Sequence, residues 1–191
     1  MLDLIIKNGK CYIDGQLKNG DIGIKDGKIQ SLGQISDETK ETFDAKGQIV
    51  LPGCIDTQTH FREPGSTDTE DLHSGSRAAI AGGITSVFEM PNTNPPTSTK
   101  VEFQRKLDLA KNRMYCNYAF YFGATADNAN ELKDLKNLKG CCGIKLFAGS
   151  STGNLLVANE DDIDTVFKNS SKVVAVHSED EAILNMNKKI N

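Results

Sequence analysis

The sequence predicts an α/β protein in two parts: a small β unit over residues 1–52, then, over residues 53–191, strands alternating with helices around a parallel sheet. Three observations carry this. Up to Pro52, short apolar runs are separated by Asx-Gly pairs, the strongest local hairpin signal. Beyond it, apolar runs of strand length alternate with stretches of helical length, which marks βα units and a parallel sheet. The unusual polar residues of this second part fall where predicted strands end, and in parallel α/β sheets the carboxyl ends of the strands carry the site.

Composition narrows the function classes. The chain has 191 residues, 38% hydrophobic and 25% charged, which is ordinary for a soluble globular protein. A net charge of -4 and a pI near 5.4 argue against a nucleic-acid surface, and no basic cluster is present. The apolar run in Met1–Lys10 is too short for a signal peptide or a membrane span, so a cytoplasmic protein without membrane partners is expected. Five cysteines (Cys11, Cys54, Cys116, Cys141, Cys142) are an odd number without C-x-x-C spacing and read as reduced, mostly buried thiols. A soft metal at the vicinal Cys141-Cys142 is the weaker alternative.

In order, Leu4-Ile5-Ile6 ends at Asn8-Gly9, Cys11-Tyr12-Ile13 at Asp14-Gly15, and Asp21–Ile24 at Asp26-Gly27, a pattern of successive hairpins. Gly47-Gln48-Ile49 leads into the apolar run of the first barrel-type strand. Thr67 with Glu70 fits a capping box for a helix from about Glu70 to Ala81, closed by Gly82-Gly83. His73 within it reads as a solvated surface histidine. Ile84–Met90 is near-continuously apolar and β-branched, suited to a strand covered on both faces. A helix over 98–112, a strand over 115–122, a short helical stretch over 128–138, a strand over 143–148, a helix over 160–169 and a strand over 173–176 follow.

The stretch from Ile49 to Gly65 organises the rest. After Pro52-Gly53 it runs into Asp56, Gln58, His60, Arg62 and Glu63. Alternation in a strand would turn Asp56, Gln58, His60 and Arg62 to one face. A wet edge strand would explain this, but a His and a carboxylate at this spacing also suit metal ligation or acid–base work. Asp56-Thr57-Gln58-Thr59-His60 resembles the Asp-x-His-x-His signature of the amidohydrolase superfamily, and His60–Gly65 is similar to the version in class I dihydroorotases. Gln58 departs from the pattern, offering only an amide oxygen where the family has its first His.

The resemblance implies a metal-dependent amidohydrolase-type (β/α)8 TIM barrel, incomplete here with about five strands present, plus part of a small N-terminal β-sandwich. It implies hydrolysis of the cyclic amide of dihydroorotate to N-carbamoyl-aspartate in pyrimidine biosynthesis. One or two zinc ions would bind at His60, His177 and Lys145, with Gln58 a further candidate. Lys145, in Gly143–Phe147, matches a lysine that takes up carbon dioxide and ligates as a carbamate. Arg62 and Asn92, the latter in Met90-Pro91-Asn92-Thr93, would hold the substrate carboxylate. The family's general acid/base Asp is expected beyond residue 191, so the chain is expected to be a truncated portion, inactive alone. For Lys145 a snorkelling amine is the alternative, and for His177 a bond to a loop carbonyl. Gly149–Asn154 lacks the spacing of a phosphate loop. An allantoinase or hydantoinase is the second reading; a non-catalytic scaffold subunit, associated with aspartate transcarbamoylase, is the third. A homodimer is a further expectation.

Overall fold

The computed structural model describes residues 1–149 and 154–188. Two compact units divide the chain, Met1–Gly53 and Cys54–Asn191.

The first unit is one sheet of β1 (Leu2–Ile13), β2 (Gln16–Lys25), β3 (Lys28–Gly33), β4 (Thr39–Asp44) and β5 (Ile49–Val50). The first three form an antiparallel meander, and β4 and β5 both pair parallel to β1. Two of the predicted hairpins form where Asp14-Gly15 and Asp26-Gly27 adopt positive φ at both residues, as a tight primed turn requires. Asn8-Gly9 does not turn. Strand β1 runs through it, with a register shift between Ile6 and Gly9. Asn8 takes a φ of 56°, its backbone N–H donates to Asp21 Oδ1, and its side-chain amide donates to Asp44 Oδ1, both at 3.0 Å. These bonds stabilise a bulge where the dipeptide alone reads as a hairpin. Ile49-Val50 is a second correction: it pairs with Lys10 and Cys11 in this sheet, so the first strand of the parallel sheet starts only at Cys54.

The second unit holds five parallel strands in chain order, β6 (Cys54–Thr59), β7 (Ile84–Glu89), β8 (Asn117–Gly123), β9 (Cys141–Phe147) and β10 (Val174–His177). Between them lie α1 (Leu72–Ala81), α2 (Lys100–Ala110), a 3₁₀ segment at Ala129–Leu135 and α3 (Glu160–Asn169); α4 (Glu181–Lys188) follows β10. Alternation sorts the strand residues. Phe120 and Phe122 of β8 and Ile144 and Leu146 of β9 enter the cluster with Leu72, Phe103, Leu132 and Val166. Residues of the other parity, Tyr121, Gly143 and Lys145 among them, are thereby turned to the opposite face. Burial on both faces explains why β8 and β9 read as continuous apolar runs.

Helix α1 begins two residues later than its sequence suggests. Asp71, not Thr67, caps it: Asp71 Oδ1 accepts the Ser74 N–H at 2.6 Å, and the Ser74 side chain answers the Asp71 N–H at 3.1 Å. Thr69 and Glu70 N–H instead both donate to the Ser66 carbonyl, closing a turn ahead of the helix. No helix among the described residues is long and apolar enough to cross a membrane.

Candidate functional site

The β6 and β7 ends meet in one corner. Strand β6 stops at Thr59, so His60 and Arg62 lie beyond it, and the register slips between Asp56 and Thr59. The expected shared face thus covers only Asp56 and Gln58 within the strand. Asp56 Oδ1 accepts the Gln58 N–H at 2.9 Å, and Gln58 is exposed. Met90 N–H donates to the Thr59 carbonyl at 2.8 Å, and Asn94 N–H donates to the Pro64 carbonyl at 2.9 Å, so the two loops are tied at two points. Between the ties, His60 Nδ1–H donates to Asn92 Oδ1 at 2.8 Å. The amide oxygen can only accept, so the proton sits on Nδ1 and the Nε2 lone pair is left for a ligand. Gly65 permits the close approach: at φ 121°, a Cβ there would stand 3.0 Å from Asn94 Cβ. Arg62, Pro64, Ser66, Asn92, Thr93 and Pro96 line a cavity of about 480 Å³.

Two buried carboxylates support this corner. Glu63, 7% exposed, receives both terminal nitrogens of Arg113, at 2.8 and 3.0 Å, and the Leu72 N–H at 2.9 Å. The loop behind Arg62 is thereby fastened to the start of α1 and the end of α2. The same pairing holds the Arg113 guanidinium above its ordinary pKa. Glu89, at the end of β7, pairs with Lys106 of α2, and both side chains are fully inaccessible. Burial pushes the Glu89 carboxyl up to about 7, against the pull of Lys106 and of Arg62. The same burial lowers the Lys106 ammonium.

The β9 and β10 ends make a second corner. Lys145 is 3% exposed, and its Nζ lies 4.9 Å from the centroid of the Phe147 ring. No described carboxylate pairs with it, and burial lowers its pKa. The Phe147 ring in turn lies 6.1 Å from that of His177. His177 ends β10, and its Nε2–H donates to Glu179 Oε2 at 2.7 Å. Ala148 N–H donates to the His177 carbonyl, which joins the tips of the two strands. Gly149 makes room: a Cβ there would fall 2.5 Å from Glu179 Cβ. Residues Ser150 to Gly153 of the loop beyond β9 lie outside the described residues.

The site residues named from the sequence thus lie at or near the carboxyl ends of strands, and all but Gln58 fall into two groups. His60, Arg62 and Asn92 share the first corner; Lys145 and His177 share the second. Gln58 joins neither: it is exposed, and its backbone N–H bonds to Asp56. Among the described residues, no three His, Cys, Asp or Glu side chains converge as a metal cluster. The donor chemistry still fits a divalent ion in kind. His60 keeps Nε2 free, His177 keeps Nδ1, and a buried amine with lowered pKa is suited to carboxylation, which would add two oxygens. Glu179, Arg113, Glu89 and Lys106 escaped sequence reasoning, and Glu63 stood in the polar tip without an assigned role. Lys106 left a trace, since it falls between Phe103 and Ala110 on the buried stripe of α2. His73 is exposed on α1, against Tyr115.

Comparison with known proteins agrees with this architecture. The model of the amidohydrolase family matches residues 49–182. The dihydroorotase of Methanosarcina mazei is 37% identical over 186 residues, 95% of this chain and 40% of the relative. An allantoinase of Escherichia coli is 38% identical over 149 residues, 78% of this chain and 33% of the relative. Among solved structures, the L-hydantoinase (dihydropyrimidinase) from Arthrobacter aurescens superposes with a TM-score of 0.90 at 29% identity, covering 100% of this chain and 44% of that one. The chain therefore spans about two fifths of the length of such relatives, and its parallel sheet corresponds to part of their (β/α)8 barrel.

Proposed function

Because the chain belongs to the amidohydrolase family, a group whose relatives here hydrolyse cyclic amides, we propose that it contributes the first part of a dihydroorotase barrel. One observation carries the choice of substrate: Arg62 and Asn92 line the same cavity. A guanidinium fork beside an amide suits a planar carboxylate on a small ring, as dihydroorotate carries. Allantoin and hydantoin lack that carboxylate.

In this reading His60 through Nε2, His177 and a carboxylated Lys145 would hold zinc. Bound there, the metal would polarise the ring carbonyl and lower the pKa of an attacking water. Arg62 orients the substrate through its carboxylate. Asn92 fixes the His60 tautomer. Lys145 has to be neutral to attack carbon dioxide, losing a proton as the carbamate forms, and its desolvated position favours the neutral amine. Overall, water adds across the ring C–N bond: its oxygen goes to the carbonyl carbon, and the nitrogen leaves protonated as part of the carbamoyl group.

The second reading, a hydantoinase- or allantoinase-like enzyme, is favoured by the L-hydantoinase superposition and the allantoinase identity. Assays of the full-length protein with dihydroorotate, allantoin and hydantoin separate the two. Turnover of dihydroorotate is expected, with Arg62→Met raising KM by about 10- to 100-fold, the equivalent of one charge-assisted contact. Preference for an uncharged ring, indifferent to Arg62→Met, would move the protein to the second reading.

A further inference from the structure

Two fully buried charges lie beneath the β7 end and take no part in the chemistry above. Glu89 is the last residue of β7, and Lys106 stands on the buried stripe of α2, its Nζ 5.3 Å from the Phe120 ring centroid. Their ion pair is close, yet neither Glu89 oxygen has a hydrogen bond of good geometry, and the hydroxyl of Thr59, paired with Glu89 across the sheet, is unpartnered as well. As a source of stability such a pair is weak, since well-packed apolar residues of similar volume are often as good or better. What an apolar pair cannot do is donate a hydrogen bond. Lys106 Nζ donates to the Met90 carbonyl at 3.1 Å.

That carbonyl has a particular place. The N–H of Met90 donates to Thr59, the residue before His60. Its C=O leads into Pro91 and Asn92, where the chain turns on Thr93 N–H and Thr97 N–H, both donated to the Pro91 carbonyl at 2.9 Å. Both sides of the His60–Asn92 contact therefore start from peptide groups anchored at Thr59 and Met90. Among the described side chains, it is Lys106 that grips the Met90 end.

We propose that Lys106, held in place by Glu89, is a positioning residue for the site: its bond to the Met90 carbonyl sets the turn that brings Asn92 Oδ1 onto His60 Nδ1, and so fixes the nitrogen with which His60 ligates. The inference rests on reading His60 as a metal ligand, but not on the identity of the substrate.

The test uses the full-length protein carrying E89L/K106M, which removes both charges together and leaves no buried ion unpaired. Three quantities are read: the thermal melt, zinc affinity by chelator competition, and the His60 tautomer by ¹⁵N NMR of the imidazole. A cooperative melt close to that of the unaltered protein is expected, with zinc bound about 10-fold more weakly, the lower end of the range for outer-sphere partners, and with the single Nδ1–H tautomer replaced by a mixture. A folded double variant with unchanged zinc affinity and unchanged tautomer overturns the proposal and leaves the pair a packing feature. Should that variant fail to melt cooperatively, E89M/K106L, which exchanges the side-chain shapes, is read the same way. None of these three readouts involves a cyclic amide, so failure here is distinct from failure of the dihydroorotase reading.

Discussion

At the β6–β7 corner the buried charged side chains have charged partners, whereas at the β9–β10 corner the buried amine of Lys145 faces an aromatic ring. In the first, His60 has Asn92, the Arg62 loop has Glu63 on Arg113, and the Asn92 turn has Lys106 on Met90. In the second, Lys145 has the Phe147 ring, His177 has Glu179, and Ala148 N–H extends the pairing of the two strand tips onto the His177 carbonyl. In the reading proposed above, the difference is one of task. A recognition corner gains from groups whose directions are fixed beforehand, because ordering them at the moment of binding costs entropy. A lysine meant to react gains from having no partner, because a salt bridge would keep it protonated and inert.

The largest expected effect tests the second corner. Lys145→Ala is expected to lower zinc affinity by more than about 100-fold, beyond the range of outer-sphere losses, and to abolish turnover. Asn92→Ala, at the first corner, is expected to cost about 10-fold in zinc affinity while raising KM. Chelator competition on both proteins measures the contrast. Equal losses would show that the corners do not divide ligation and orientation in this way.

How much of this could be read from residues alone follows from the same physics. The parallel sheet was legible because β8 and β9 bury both faces and so read as apolar runs, and because His60, Asn92 and His177 stood out at or just beyond the ends of β6, β7 and β10. Lys145 was visible as a charge inside an apolar strand. The supporting shell was not, because Glu63–Arg113 and Glu89–Lys106 join residues far apart in the chain, and a single charge on a helix or strand looks solvated until its partner is known. Asn8-Gly9 failed for a related reason: the local signal for a hairpin is identical to that for a bulge, and the deciding bonds come from Asp21 and Asp44.

Next in size, and diagnostic of a polar corner, is Lys106→Met. Removing Lys106 leaves Glu89 buried without its counter-ion, at a cost of about 3–5 kcal/mol once it is ionised. The sign follows from its pKa. Glu89 stands at about 7 in the folded protein against 4.5 for an ordinary Glu, and losing Lys106 raises it further. A carboxyl raised on folding favours the native state below its unfolded pKa, and that contribution is lost as pH rises through the folded value. Melts should therefore show the variant closest to the unaltered protein near pH 5 and furthest below it near pH 8. Gly143→Ala is the matching test of the apolar corner. The added Cβ would lie 2.8 Å from both the Val173 carbonyl and Tyr121 Cε1, at a cost of about 1–3 kcal/mol. The clash is with a carbonyl and a ring carbon, and burial raises the Tyr121 phenol above its ordinary value, so it stays neutral and the effect on the melt should be flat across the same pH range.

The smallest effect is expected at the third histidine, which asks whether place in the fold, and not residue type, separates site from surface. His73 also has a polar partner and an aromatic neighbour: its Nε2 lies 3.4 Å from Tyr115 Oη, with the two rings edge to face at 5.1 Å. Yet the contact is exposed and long for a hydrogen bond, and it lies on the flank of α1. His60 differs in being half-buried at a strand end, with a 2.8 Å partner that fixes its proton. His73→Ala is accordingly expected to shift stability by no more than about 0.5 kcal/mol and to leave zinc affinity and KM unchanged. A loss of zinc affinity in this variant would mean that the helix flank communicates with the β6 end through Glu63 and Arg113, whose bonds reach the start of α1, and the first corner would then extend much further from the strand tips than its hydrogen bonds indicate.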